Sequence, residues 1–229
     1  MQKHHEILSF LRYWQGQSGK PQSEKVSEQL ESAQLAYVRL IDALLEQLVL
    51  IDPALLHTKS KECLLPFQAG ADQETAFDAF LARDGVKSEN SGFYLSLRPG
   101  QSFIGMGYLA NTFLSSFAIE QEKKHQQEEL DYMLHFLTSY CGFELLNGSL
   151  PEDVPCKSRL TSLGLKREGL SPWFLFKYIP PEELMDSQLE NWLVQQYGLL
   201  FSYNQYLNRA LDFYAGIGLD ELEDHVDLS

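Results

Sequence analysis

Between Gly92 and Tyr108 the chain alternates apolar with polar or small residues on both sides of Pro99-Gly100, reading Gly-Phe-Tyr-Leu-Ser-Leu-Arg-Pro-Gly-Gln-Ser-Phe-Ile-Gly-Met-Gly-Tyr. A period of two is the repeat of a β-strand. Proline presets the first central residue of a turn and glycine accepts the positive φ of the second. The stretch therefore predicts an antiparallel hairpin. With Arg98 opposite Gln101, Leu95 faces Ile104 and Phe93 faces Met106 on one apolar, buried face. The reverse face carries Tyr94, Ser96, Arg98, Phe103, Gly105 and Gly107, with Tyr94 over Gly105 and Ser96 over Phe103. A two-residue type II turn splays its strands, so the alternative is a wider loop with a slipped register that exchanges the two faces.

Two glycines on one strand face remove side chains where a strand wants them, which signals close approach by something else. A packed helix, or Tyr94 lying across the bare backbone, is one account. The other is a shallow ligand groove floored by Gly105 and Gly107 and flanked by Tyr94 and Arg98.

Elsewhere apolar residues recur at three- and four-residue steps. From Ser23 to Val49 they predict a long helix with Val26, Leu30, Ala33, Tyr37, Leu40, Ile41, Leu44 and Leu48 on one face, stopped by Asp52-Pro53. Glu6–Trp14 reads as a short helix, and Phe117–Cys141 as a second long one with Leu130, Met133, Leu134 and Leu137 inward. Strands are expected at Glu62–Phe67, Thr75–Arg83, Phe93–Arg98, Ser102–Tyr108 and Arg159–Leu165. Trp173-Phe174-Leu175-Phe176 is a buried strand or, alternatively, an exposed anchor for a partner. Ser187 and Glu190 have capping-box spacing before a helix at Gln188–Tyr197, and a closing helix spans Ser202–Ala215. The acidic end, about 219–229, reads as a frayed tail. The expected fold is α+β: one domain over 1–229, with a mostly antiparallel sheet of about four to six strands packed against long amphipathic helices.

Composition narrows the function. The 229 residues carry 18 basic and 32 acidic side chains, a net charge of −14, and no basic cluster beyond Lys123-Lys124 and Lys166-Arg167. Such a chain repels phosphate backbones and anionic lipid, so neither nucleic acid nor membrane is an expected partner. No run approaches a membrane span, and the amino terminus lacks the apolar core of a signal peptide; a cytoplasmic location is expected. Cys63, Cys141 and Cys156 have no paired spacing and fit a reducing compartment. Adjacent His4-His5 diverge on a helix, and His125 and His135 stand too far apart for one site, so no metal or cofactor is expected. No nucleophile elbow occurs, and Gly100…Gly105-x-Gly107 is neither a P-loop nor a dinucleotide fingerprint. Asp72, Glu74, Asp78 and Asp84 form either a solvated strand face or a set of paired carboxylates. Lys166-Arg167, joined by Arg98 and Arg159, is the candidate anion site.

Phe77-Asp-Ala-Phe-Leu-Ala-Arg-Asp-Gly-Val-Lys-Ser, followed by the hairpin residues from Gly92, resembles the central segment of the bacterial family called domain of unknown function 2461. Leu165-Lys-Arg and Tyr206-Leu-Asn-Arg-Ala-Leu resemble its later pattern, so the likeness runs through most of the chain. The Arg-Asp, Arg-Phe and Asp-Lys…Tyr signature of typical members is missing: the corresponding stretch, Lys59 to Thr75, contains no arginine. Tyr13-Trp14 is the nearest remnant of the family's Arg-Glu-Trp-Phe motif. The resemblance implies a divergent member and a fold; the family name brings no activity.

The expectation is a non-catalytic ligand-binding or protein-interaction domain, with a small anion, a protein or a second copy of the chain as partner. The alternative is an enzyme acting on a small anionic metabolite. The candidate ligand-binding residues are Tyr94, Arg98, Gly105, Gly107, Lys166 and Arg167, with no catalytic residue assigned.

Overall fold

The two periodicities resolve into separate layers in the computed structural model, which describes residues 3–15, 24–67, 76–109, 113–145 and 173–215. Strands β1 (Phe77–Leu81), β2 (Gly92–Leu97), β3 (Phe103–Gly107), β4 (Glu144–Leu145) and β5 (Leu175–Tyr178) form one sheet in the order β1-β2-β3-β5-β4. Every neighbouring pair is antiparallel. The helices are α1 (Lys3–Gln15), α2 (Glu24–Leu48), α3 (Ser60–Cys63), α4 (Phe113–His125), α5 (Gln127–Ser139), α6 (Pro181–Met185) and α7 (Leu189–Ala215). The architecture is α+β.

The hairpin has the expected register: Phe93 pairs with Met106, Tyr94 with Gly105, Leu95 with Ile104 and Ser96 with Phe103. Its connection differs. The strands end at Leu97 and resume at Phe103, and Gly100 does not take a positive φ. Ser102 closes this wider loop instead, its hydroxyl accepting from the Arg98 amide at 3.0 Å and donating to the Arg98 carbonyl at 3.1 Å. The side-chain alternation pins the register whatever the loop does, because a one-residue slip would turn Leu95 and Ile104 out of the core.

One sheet face, with Phe77, Ala79, Leu81, Phe93, Leu95, Ile104, Met106 and Leu175, packs into the main core with α1, α2 and α7. Three tyrosines tie helices to strand backbone. Tyr37 of α2 donates to the Leu95 carbonyl at 3.3 Å, and Tyr197 of α7 to the Tyr94 carbonyl at 3.0 Å. Tyr203 donates to Trp173, just before β5, at 2.8 Å. A buried hydroxyl needs such an acceptor, so each bond fixes where its helix sits.

Several boundaries depart from expectation. Glu62–Phe67 is not a strand. Glu62 folds back to accept the Lys59 amide at 3.1 Å, α3 forms a single turn, and only a Leu64–Ala79 bridge follows. Gly85, at φ +61°, sits against this turn, where a side chain would strike the Glu62 carbonyl. The helix expected at Phe117–Cys141 is two, broken at Gln126, whose φ of −128° and ψ of 38° are not helical. The two helices expected after Gln188 are one: Gly198 lies on an exposed surface of α7, where a mid-helix glycine costs only about 1 kcal/mol. Ser187 makes no capping box: its hydroxyl donates to Asp186 at 3.3 Å, and Asp186 accepts the Gln188 amide at 2.8 Å in the turn that leads into the helix. Trp173 to Phe176 is buried, as the strand reading requires. Arg159–Leu165 and the acidic tail lie outside the described residues.

A polar seam runs through the apolar contact between α7 and the start of β2. Asn204 donates to Asp52 at 3.1 Å and accepts the Ser91 hydroxyl; one turn later Asn208 accepts the Ser91 amide at 2.7 Å. Asp52 also accepts the Ala54 amide at 3.2 Å, ending the α2 corner. Replacing Asn204 by alanine strips a donor from buried Asp52 and an acceptor from buried Ser91, so Asn204→Ala should cost about 2–3 kcal/mol in urea unfolding. A cost below about 0.5 kcal/mol, the range of ordinary surface changes, would mean that the seam contributes nothing to stability.

Candidate functional site

The reverse face of the hairpin is buried as well, contrary to an open notch. Phe80, Ala82, Tyr94, Phe103, Phe174 and Phe176 form a second apolar cluster there. The close approach that the two glycines permit is made by Phe174, from the residue preceding β5. A Cβ on Gly105 would stand 2.5 Å from Phe174 Cε1, and one on Gly107 would stand 2.9 Å from its Cδ2. Tyr94 meets the same ring edge-on at 5.9 Å and stacks on Phe103 at 5.6 Å. The floor assigned to a ligand thus carries the chain's own aromatic ring, because bare strand backbone is the one surface on which a phenyl group can lie this close.

Beyond Tyr94 the face becomes ionisable. Arg98, only 2% exposed, donates from Nε to Ser96 Oγ at 2.7 Å, and its Cζ stands 5.4 Å from the centre of the Phe103 ring. Asp78 of β1 pairs across the ladder with Ser96 and is buried too, which corrects the solvated-face reading for this carboxylate. Asp84 is exposed; Asp72 and Glu74 lie outside the described residues. Burial raises the Asp78 carboxyl above its ordinary pKa, against the opposing pull of the Arg98 guanidinium and the Ser96 and Tyr94 hydroxyls. Tyr94 is pushed well up, first by burial and then by the Asp78 charge. Asp78, a carboxylate of the same chain, lies close enough to Arg98 for the guanidinium charge to act on it. Lys166, Arg167 and Arg159 fall outside the described residues, so the structure brings together Tyr94, Arg98, Gly105 and Gly107 of the expected set.

Other chemistry is sparse. Burial raises the Cys63 thiol to about 12, which suits an inert core residue. No group of three His, Cys, Asp or Glu among the described residues is placed to hold a metal. A groove of about 260 Å³ between α1 and α2 has a rim of Glu6, Ser9, Tyr13, Gln29 and Ser32, without converging charges. No helix among the described residues is long and apolar enough to cross a membrane.

Among the described residues, the most exposed aromatic surface is on α5. Leu130 and Leu137 turn its inner side to the core, and Tyr132, Phe136 and Tyr140 follow at four-residue steps on the outside. They are 73%, 41% and 76% exposed. Phe136 and Tyr140 stack at 6.3 Å, and His135 meets Tyr140 edge-on at 5.7 Å. Sequence reasoning passed over this row, although the four-residue spacing was there to be seen. The apolar count of α5 was assigned wholly to its inner side.

Comparison of the chain with protein-family models, with curated proteins and with solved structures found no match.

Two outcomes test the reverse face. Gly105→Ala should destabilise by about 1–3 kcal/mol through overpacking, and most of that added cost should vanish in a Phe174→Ala background, measured as a double-mutant cycle. An unchanged penalty in that background would remove Phe174 as the cause. For Asp78, a raised folded pKa means stability that is fully present below the unfolded value near 3.8 and lost as pH rises through the folded value. The stability of wild type minus that of Asp78→Asn should therefore fall as pH is raised from 3.8, by chemical denaturation at each pH; a flat or rising difference contradicts the assignment.

Proposed function

We propose that the protein is a non-catalytic interaction domain that recognises another macromolecule through the outer side of α5. The observation that carries this reading is the row Tyr132, Phe136 and Tyr140, three aromatic rings at helical spacing left in water on a helix whose inner side is already packed. Tyrosine and phenylalanine each offer about 150–250 Å² of contact area. At these exposures the row presents roughly 400 Å², within the 300–600 Å² of the largest patch on a typical monomer, often functional. The reverse face of the hairpin favours the same reading over an anion-binding enzyme, since Phe174 covers Gly105 and Gly107, and Arg98 lies beside Asp78.

A cytoplasmic location and descent from the domain of unknown function 2461 family belong to this reading. Their support is the cysteine and charge pattern for the first, and the residues around Phe77 and Gly92 for the second. The family adds no chemistry to the proposal.

The test is photo-cross-linking in the cells that express the protein, with benzoylphenylalanine placed at Tyr132 or Tyr140 and, as control, at the exposed Glu46 of α2. A discrete adduct with another chain from positions 132 and 140, absent from 46, is expected. No adduct, or the same products from all three positions, would end the interaction reading.

A further inference from the structure

We infer that the α5 row receives a basic peptide segment of another protein, whose arginine or lysine side chains lie over the Tyr132, Phe136 and Tyr140 rings. This rests on the interaction reading and adds the chemistry of the partner.

Residues four apart on a helix lie in one row, advancing about 6 Å per step. Glu128 occupies the place before Tyr132 in that row, and Asp131 stands in the row beside it. Helix α5 contains Glu128, Glu129 and Asp131 and no lysine or arginine. Glu129 is engaged by Arg209 Nη2 at 2.8 Å, whereas Glu128 and Asp131 are exposed. The aromatic surface is thus headed by carboxylates on a body of net charge −14, and a positively charged segment is drawn to it while acidic ones are repelled.

The rings supply the second half of the recognition. An aromatic face attracts a cation through its quadrupole. This protein uses that contact repeatedly inside itself: Arg98 stands over Phe103 at 5.4 Å, Lys123 over Trp173 at 5.2 Å and Arg209 over Tyr206 at 5.2 Å. No cation among the described residues stands over Tyr132, Phe136 or Tyr140. His135 meets the Tyr140 ring edge-on and Phe136 stacks on it, so the exposed rings lie together as one surface for a ligand cation. A partner with cations one helical turn apart, or two residues apart along an extended strand, matches the row, since both steps are about 6–7 Å. A second copy of the chain matches less well: it would bring an α5 with acidic side chains and no lysine or arginine against an identical one, on bodies of net charge −14 each.

The probe is a pair of synthetic peptides equal in length and apolar content, one with arginine at every fourth position and the other with glutamine there. Each is titrated into the full chain, with amide shifts of α5 followed and helicity checked by circular dichroism. The arginine peptide should bind about tenfold tighter, weaken on raising salt from about 50 to 500 mM, and shift residues 128–140. Tyr132→Ala or Tyr140→Ala should each weaken it about two- to fivefold, and Glu128→Lys with Asp131→Lys more; these exposed sites leave folding intact. Equal binding of the two peptides, or binding that the substitutions do not change, overturns the basic-partner assignment. So does a concentration-dependent dimer whose contact maps to α5. If the cross-linked adduct forms but the arginine peptide has no advantage, the partner chemistry fails and the interaction reading stands; absence of the adduct fails the reading itself.

Discussion

The Phe174 ring lying on the bare backbone at Gly105 and Gly107 is the contact on which the rest of the sheet depends. It brings the segment entering β5 against β3, and β5 in turn carries the edge strand β4. It also closes the hairpin's second face, so that β2 is buried along its whole length on both sides. A strand buried on both faces must satisfy its backbone N–H and C=O groups within the protein. The tyrosines of α2 and α7 that donate to β2 carbonyls follow from that requirement.

Closure also explains where the charges went. Asp78 and Arg98 share the face with six aromatic or small apolar residues, and a buried ion is tolerated only near a counter-charge or hydrogen-bonding groups. Each supplies part of the other's environment, with Ser96 between them. The cost of this cluster is offset elsewhere, chiefly by the apolar core between the sheet's other face and the long helices. At the far side of α7, Arg209 bonds Glu122 and Glu129 at 2.8 Å each and holds α4 and α5 against the same helix. With α5 anchored through Leu130, Leu137 and Glu129, its aromatic row has no inward surface left to cover.

Much of this was readable from local pattern. Alternation around Pro99-Gly100 specified the strand pairing residue by residue, because a period-two register is set by burial and tolerates error in the loop. The long helices announced themselves by apolar spacing, though not their ends: Gln126 breaks one and Gly198 fails to break another for reasons of packing that no single window contains. The glycine face pointed to a close approach, and the identity of the approaching group was invisible because Phe174 lies about seventy residues downstream of Gly105. Asp78 looked like a solvated carboxylate for the same reason, its burial being a long-range consequence. The α5 row and the Asn204–Asn208 pair were local signals at four-residue spacing, masked by neighbours that the core claimed more strongly.

The most direct measurement is the proton chemical shift of the Gly105 and Gly107 α-hydrogens, assigned in the intact protein. A phenyl ring lying on this backbone shifts protons beneath its face strongly upfield and gives nuclear Overhauser contacts from Gly105 to the Phe174 ring. Those shifts and contacts, abolished in Phe174→Leu, are what the account requires. Ordinary strand-glycine shifts with no contact to Phe174 would contradict it.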